Sequence, residues 1–122
     1  MGLKKEQEQK LYYSIKEVSQ MLGLNAPTLR FWEKEFKEIA PQRKKGIRFY
    51  RKEDIQQIRL VYYLRIVRGM TLAGARQRLK DNKDETVNQA EIYNRLEQIR
   101  GELLSLIDAL DAYDQQSYLS QP

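Results

Sequence analysis

The sequence predicts a mostly α-helical protein that carries one small β-hairpin and ends in a long helix. Two short amphipathic segments, joined by a tight turn, occupy the first third of the chain. A basic segment with a central Lys-Gly pair follows them and predicts the hairpin. The final third has apolar residues in steps of four and three, which indicates a helix that packs lengthwise on another helix.

Composition narrows the classes of function open to these 122 residues. Hydrophobic residues make up 41% of the chain and charged residues 32%, which is typical of a globular protein with a heavy charge load. There is no Cys and no His, which removes disulfide frameworks, thiolate nucleophiles, Ser-His-Asp triads and almost every zinc site. We therefore expect no enzymatic activity, no metal and no cofactor.

Charge is unevenly distributed along the chain. Residues 10–80 hold 17 Lys and Arg against 6 Asp and Glu, a net charge of +11. Residues 81–122 hold 3 against 9, a net charge of −6. A basic region followed by an acidic one predicts an anionic partner for the first region alone.

No targeting or membrane segment is evident. No apolar run approaches the roughly 20 residues that a bilayer span needs, so we expect no membrane partner. The first residues lack the apolar core of a secretory signal, and residues 1–11 are predicted to be a flexible tail. The cytoplasm is the expected location.

The first two helices are delimited by their capping residues. Ser14 forms a capping box with Glu17 at the start of the first helix, which ends at Gly23. Asn25 is a favourable N-cap for a second helix that extends to Phe36. Two short helices separated by so tight a turn predict a helix-turn-helix.

Pro41 ends this pattern, and the segment QRKKGIRFY that follows predicts two short strands around a Lys-Gly turn. Glu53 and Asp54 place negative charge at the start of a third helix that reaches Gly69. This helix is apolar over a wide arc and should be central to the core. Thr71 caps a short fourth helix, which completes a domain over residues 12–82.

The last predicted helix spans residues 86–114 and opens with a second capping box, formed by Thr86 and Gln89. Its apolar residues form a coiled-coil seam over three heptads, at Ile92, Leu96, Ile99, Leu103, Leu106, Leu110 and Tyr113. The stripe is too long to be buried on the small domain before it, so it predicts pairing with a second copy of the chain. Folding back onto that domain is the alternative. Residues 115–122 are predicted to be a flexible tail.

The order of helix-turn-helix, basic hairpin, two helices and seam makes the hairpin a wing. Residues 12–80 resemble the MerR family of bacterial transcription regulators. The resemblance is carried by the segment YSIKEVSQMLGLNAPTLRFWE, the wing pattern PxR…GxRxY, the tripeptide EDI and a GxTL turn. Where the family usually has two tyrosines after TLR, this chain has Phe31 and Trp32, so neither position carries a phenolic hydroxyl.

The resemblance implies a homodimer, joined by an antiparallel coiled coil, that binds double-stranded promoter DNA. In many members DNA distortion lets RNA polymerase use the promoter, which would make polymerase a further partner. Other members repress transcription or organise the chromosome.

A DNA-binding role predicts the side chains that meet the duplex, with the second helix in the major groove and the wing on flanking phosphates. Arg30 is expected to contact a phosphate or a guanine edge. The candidates on the helices are Lys16, Asn25, Thr28, Arg30 and Trp32. The candidates on the wing are Arg43, Lys44, Lys45, Arg48 and Tyr50. Each has a structural alternative, as a local cap, a core residue or a solvated surface charge.

Three functions are consistent with these observations. The first is a homodimeric, sequence-specific transcription regulator located on the nucleoid. The second is an architectural or chromosome-anchoring protein whose coiled coil recruits other proteins. The third is a coiled-coil adaptor that does not bind DNA, against which the net charge of the first region argues. A regulator should favour its operator over random DNA by roughly 10³ or more, whereas an architectural protein should show a small ratio.

Overall fold

The computed structural model describes residues 10–119. Most of the predicted N-terminal tail, residues 1–9, lies outside this range, as do residues 120–122. The chain divides into two compact units, the first ending at Asn82 and the second beginning at Lys83. Its elements are α1 (Ile15–Leu22), α2 (Ala26–Glu35), β1 (Gln42–Lys44), β2 (Ile47–Phe49), α3 (Lys52–Tyr62), a π-helical turn (Tyr63–Val67), α4 (Leu72–Asp81) and α5 (Lys83–Leu119).

The caps predicted for α1 and α2 are present. The Ser14 hydroxyl accepts a hydrogen bond from the backbone N–H of Glu17, and the Glu17 carboxylate accepts one from the backbone N–H of Ser14, both at 3.1 Å. Gly23 ends α1 in the left-handed region at φ 66°. Asn25 opens α2, where its side-chain oxygen accepts from the backbone N–H of Thr28 at 2.9 Å. The predicted helix-turn-helix is thereby confirmed.

Helix α2 ends at Glu35, one residue before the predicted end, because Phe36 leaves the helix for the core. The backbone of Phe36 is extended, at φ −119° and ψ 109°, and its side chain is fully buried. The buried apolar side chains of the first unit are Val18, Leu29, Trp32, Phe36, Ile39, Tyr50, Ile55, Ile58, Leu60, Val61, Tyr63, Leu64, Ala75 and Leu79. Four of them lie on α3 and two on its π-helical extension, which confirms that this part of the chain is central to the core.

The hairpin forms around the predicted Lys-Gly turn. Lys45 and Gly46 both have positive φ, at 54° and 78°. Positive φ at both central residues gives the turn whose twist matches that of the flanking strands. In the resulting antiparallel register, Arg43 lies opposite Arg48.

The base of the hairpin is tied to the segment before α1. Tyr13 and Tyr50 exchange two backbone hydrogen bonds of 2.8 Å, which add a short antiparallel bridge to the two-stranded sheet. The rings of Tyr12 and Phe49 meet edge to face, with centroids 6.1 Å apart. The hairpin is therefore anchored at its base as well as closed at its tip.

Helix α3 begins with an acidic cap. The Asp54 carboxylate accepts from the backbone N–H of Arg51 at 2.8 Å and from the Arg51 guanidinium at 3.2 Å. Asp54 is almost fully buried, so both bonds satisfy a group that would otherwise be costly to enclose.

The connection from α3 to α4 differs from the predicted continuous helix to Gly69. The backbone widens into the π-helical turn Tyr63–Val67, and Gly69 follows in the left-handed region at φ 64°. The Arg65 guanidinium donates to the carbonyl oxygen of Met70 at 2.6 Å, which closes the connection. Thr71 then caps α4 as predicted, accepting from the backbone of its first turn.

As far as Leu119, where the described residues end, the second unit consists of helix α5, which is 37 residues long. It begins at Lys83, three residues before the predicted start, so the predicted capping box at Thr86 is wrong. Asp84 and Glu85 supply the negative charge that stabilises a helix start at this earlier point.

The helix also continues past its predicted end at residue 114. Residues 115–119 are helical, where a flexible tail was predicted, because no Gly or Pro interrupts the segment. The seven residues of the predicted seam, Ile92 to Tyr113, are all exposed in the single chain, with exposed fractions between 41% and 69%. No helix within residues 10–119 is both long and apolar enough to cross a membrane.

Two glycines give opposite expectations for the same substitution. Gly23→Ala should lower the free energy of unfolding by about 1 kcal/mol, because a Cβ is disfavoured at φ 66° although space is free around it. Gly101→Ala should raise it by up to about 1 kcal/mol, because Gly101 lies inside α5 in open space. Urea unfolding of both variants measures the difference, and a stabilising Gly23→Ala would contradict the left-handed cap.

Candidate nucleic-acid interface

Helix α2 has one buried face and one exposed face. Leu29 and Trp32 point inwards, with exposed fractions of 1% and 3%. Arg30, Phe31 and Lys34 lie on the opposite face and are exposed. Because Phe31 and Lys34 are three residues apart, and Arg30 and Lys34 four apart, the three side chains are neighbours on the helix surface. The face combines two positive charges with one aromatic ring.

Glu33 joins α2 to the hairpin. Its two carboxylate oxygens each accept from an arginine of a different strand, Arg43 Nη2 at 2.5 Å on β1 and Arg48 Nε at 2.6 Å on β2. The Glu33 side chain is only 11% exposed, so the pairs lie at the junction of helix and hairpin rather than on open surface. We call this arrangement of Glu33, Arg43 and Arg48 the Glu33 bridge.

The electrostatics of the Glu33 bridge favour its charged form. Burial acts to raise the pKa of the Glu33 carboxyl, but the hydrogen bonds and charges of Arg43 and Arg48 outweigh it and hold this pKa below the ordinary value of 4.5. The same hydrogen bond raises the pKa of Arg43. Since Arg43 and Arg48 lie directly opposite in the strand register, Glu33 also offsets a repulsion between like charges.

The two lysines of the hairpin tip remain outside the Glu33 bridge. Lys44 ends β1 and Lys45 is the first residue of the turn, and both are exposed. Within residues 10–119 neither makes an ion pair. The tip therefore offers two exposed positive charges without an ion pair in the described chain, whereas the arginines behind it are paired with Glu33.

On the helices, the candidate residues Lys16, Asn25 and Thr28 are partly available. Lys16 is exposed in the first turn of α1, and Asn25 is exposed at the N-cap of α2. The Asn25 side-chain oxygen is already used by the cap, which leaves its amide N–H groups as donors. Thr28 is half-buried in the first turn of α2.

Two of the predicted contacts, Trp32 and Tyr50, are core residues instead. Trp32 is 3% exposed and Tyr50 is fully buried, so neither side chain presents a surface to a ligand. The helix period places Trp32 on the inner face with Leu29, and the bridge to Tyr13 holds Tyr50 beneath the hairpin. Burial raises the pKa of the Tyr50 hydroxyl, which has no hydrogen-bond partner among the described residues.

A second ion pair attaches α4 to the end of α2. The Arg76 guanidinium donates to the Glu35 carboxylate at 3.2 Å. Together with the Glu33 bridge, this pair fixes α2 against the hairpin on one side and against α4 on another. The exposed face of α2 is thus presented by a helix that is held on both flanks.

Comparison with known proteins assigns this arrangement to a family. The sequence model of the MerR HTH family regulatory proteins matches residues 13–82, which is more than half of the chain. The chain belongs to the MerR family. The match covers α1, α2, the hairpin, α3 and α4, and so includes every element that builds the exposed face and the Glu33 bridge.

A solved structure extends the similarity to α5. The fold is similar to that of HiNmlR, a MerR family regulator lacking the sensor domain, in its crystal structure bound to promoter DNA. The two chains are 22% identical, the similarity covers 88% of this chain and 89% of that one, and the TM-score is 0.50. The predicted fold class, a winged helix-turn-helix followed by a long helix, is confirmed. No curated protein sequence matches the chain.

The sequence analysis did not predict two residues of this candidate interface, Glu33 and Phe31. The two-residue Lys45-Gly46 turn fixes a strand register in which Arg43 lies directly opposite Arg48. Because like charges at opposite positions repel, an acidic residue is expected near this pair. That signal could have pointed to Glu33. The exposure of Phe31 had no signal in the sequence, because the helix period alone does not decide how far the inner face extends.

The Glu33 bridge should make a pH-dependent contribution to stability. Glu33→Gln should lower the free energy of unfolding by about 1 kcal/mol at neutral pH, because two opposed arginines lose their shared counterion. Since the pKa of Glu33 is depressed, the contribution is complete above pH 4.5 and is lost as the pH falls further. Urea unfolding of both proteins from pH 7 to pH 3 should show the difference closing on the acid side.

The matched control is Glu38→Gln, which removes a carboxylate that makes no ion pair within the described part of the chain. It should have little effect at either pH. An equal effect of the two substitutions would contradict the bridge.

Proposed function

We propose that the chain is a homodimeric, sequence-selective DNA-binding regulator of transcription. Helix α2 acts as the recognition helix and enters the major groove, and the hairpin acts as a wing that contacts flanking phosphates. The observation that carries the proposal is the exposed face of α2, with Arg30 and Lys34, beside a wing tip with Lys44 and Lys45.

The distribution of paired and unpaired cations supports this arrangement. Within residues 10–119, Arg30, Lys34, Lys44 and Lys45 make no ion pair, whereas Arg43 and Arg48 are bound to Glu33. Unpaired cations lose no internal partner when they bind phosphate, and their release of counterions drives association with DNA. Arg30 is the candidate for a bidentate contact with guanine in the major groove.

Arg43 and Arg48 have a different proposed role from the one expected of them as phosphate contacts. Their guanidinium groups hold the wing against the recognition helix through Glu33, so their first effect on DNA is to set the wing angle. Arg43 is half-exposed and retains donors beyond those used by Glu33, so it can also meet a phosphate.

The proposed dimer rests on α5. Seven apolar side chains repeat at heptad spacing on one helix face, and all are exposed in the single chain. Exposed apolar area of this extent is normally covered by a partner. A second copy of the chain supplies the same stripe, and an antiparallel pairing would carry two recognition helices to successive turns of the duplex.

The comparisons with known proteins support DNA binding, but they do not identify the residues of this chain that contact DNA. HiNmlR, which shares the fold, is bound to promoter DNA in its crystal structure. The family description of the matched region is a regulatory protein with a helix-turn-helix. RNA polymerase as a partner and a location on the nucleoid follow from such a role and belong to the same proposal.

An architectural or anchoring function is the second candidate. Leu104 and Ile107 lie on α5 outside the predicted seam, and both are about half-exposed. Apolar residues next to a dimer seam would suit the recruitment of other proteins. The two candidates differ in their selectivity for DNA, because a regulator needs roughly a thousandfold preference for its operator and an architectural protein does not.

Selection of duplexes from a random pool, followed by affinity measurement, tests the proposal. We expect an inverted repeat to be enriched and to bind at least roughly 10³-fold more tightly than random DNA at the same salt concentration. A small ratio would support the architectural candidate. Failure to bind any duplex at low salt would exclude both.

Charge reversal at the wing tip should weaken binding to all sequences alike. Lys44→Glu should reduce the steepness of the log affinity against log salt plot by about 2, because each of the two copies in the proposed dimer loses one phosphate contact. Lys44 is preferred to Arg48 for this test because reversal of Arg48 would also break the Glu33 bridge. Lys83→Glu, the same charge change at the start of α5, is the control and should leave the slope unchanged.

A charge in the seam should separate the proposed dimer. Leu103→Asp places a carboxylate at the centre of the heptad stripe, where pairing would bury it. Sedimentation velocity should then show monomers, whereas Ser105→Asp, which adds the same charge off the seam, should leave the dimer intact. A dimer that persists in Leu103→Asp would show that the seam is not the dimer interface.

A further inference from the structure

We infer that Phe31 reads the methyl group of thymine in the major groove. This inference rests on the proposed function, because it assigns the chemistry that one residue of the recognition helix would recognise. It begins from an apolar side chain that the fold leaves in solvent.

The packing of α2 does not explain why Phe31 is exposed. Phe31 is 47% exposed, whereas Leu29 and Trp32 on the same helix are nearly fully buried. Within α2, which the structure describes in full, Phe31 is the exposed large apolar side chain. Leaving about half of a Phe in water forgoes a favourable burial of apolar area. A ligand that covers the ring would recover the free energy of burying this apolar area.

The neighbours of Phe31 locate the ring over the groove. Arg30 precedes it and Lys34 lies one turn further on, so the ring lies beside two exposed cations on one helix face. In the proposed recognition mode Arg30 meets a guanine edge in the major groove, which places the adjacent side chain of Phe31 over base edges as well. Phe31 is therefore directed at bases rather than at backbone.

The chemistry of the side chain then selects the base. Phe has no hydrogen-bond donor or acceptor, so it cannot distinguish the polar edges of guanine, cytosine and adenine. The apolar group in the major groove is the C5 methyl of thymine, and apolar contact with Phe is an established way to read it. The ring would also exclude water from the neighbouring Arg30 contact, which strengthens that contact.

Deoxyuridine tests this contact, because it differs from thymidine only in lacking the C5 methyl group. A duplex selected from the random pool is resynthesised with each thymidine replaced in turn by deoxyuridine, and the Kd is measured for the wild type. We expect at least one position in each half-site to weaken binding about fourfold, the value of one buried methyl group. Phe31→Ala should bind the thymidine duplex less tightly and lose its preference for thymidine at that position.

The control variant is Ile66→Ala, which truncates an apolar side chain of similar exposure on the π-helical turn. Its preference for thymidine over deoxyuridine should equal that of the wild type, whatever its absolute affinity. Phe31→Leu, which keeps an apolar side chain, should retain part of the preference and serves if Phe31→Ala does not fold.

The outcomes separate this inference from the proposed function. If the wild type binds a selected duplex but no deoxyuridine substitution weakens it, or if Phe31→Ala keeps the preference, the inference is wrong and the function stands. If no duplex is selected at all, the proposed function itself fails. An unchanged DNA affinity in Phe31→Ala would also overturn the inference, because the ring would then make no contact with DNA.

Discussion

The position of the wing depends on the carboxylate of Glu33. Two strands joined by a two-residue turn are marginally stable alone, and here they place Arg43 directly opposite Arg48. Glu33 accepts one hydrogen bond from each arginine and so attaches both strands to the helix whose other face is exposed. Helix and wing therefore behave as one body, which is what a protein needs if it is to meet two parts of a duplex at once.

This arrangement divides the positive charges into two groups with different tasks. Charges held by internal carboxylates fix the geometry, as Arg76 does with Glu35 and the wing arginines do with Glu33. Charges without an internal partner in the described chain, on the exposed face of α2 and at the wing tip, are available to an anionic ligand. The apolar ring of Phe31 lies among the second group, where it can add selectivity that charge alone cannot give.

Much of the fold was predictable because its signals are local. The capping box of Ser14, the left-handed Gly23 and the Lys45-Gly46 turn each depend on a few neighbouring residues, and each is present as expected. The start of α5 was placed wrongly because the acidic pair Asp84 and Glu85 stabilises an earlier start than a Thr cap would. The π-helical turn had no local signal that distinguishes it from a continued α-helix.

The site was predicted less completely, because burial depends on contacts between distant segments. Trp32 and Tyr50 were candidate DNA contacts with burial as their alternative, and packing places both in the core. Arg43 and Arg48 were correctly placed in the wing, but Glu33 lies ten and fifteen residues away in the chain, and its approach follows from the folded hairpin. Sequence periodicity identifies which residues share a helix face, whereas only the tertiary structure decides which of them remain free.

Crosslinking the protein to chromosomal DNA in its host, followed by sequencing of the recovered DNA, tests the central claim most directly. If helix and wing act as one sequence-reading body in a dimer, recovery should concentrate in a limited number of sharp sites at promoters that share an inverted repeat. Broad, low enrichment without a shared sequence would contradict the account and would favour an architectural role.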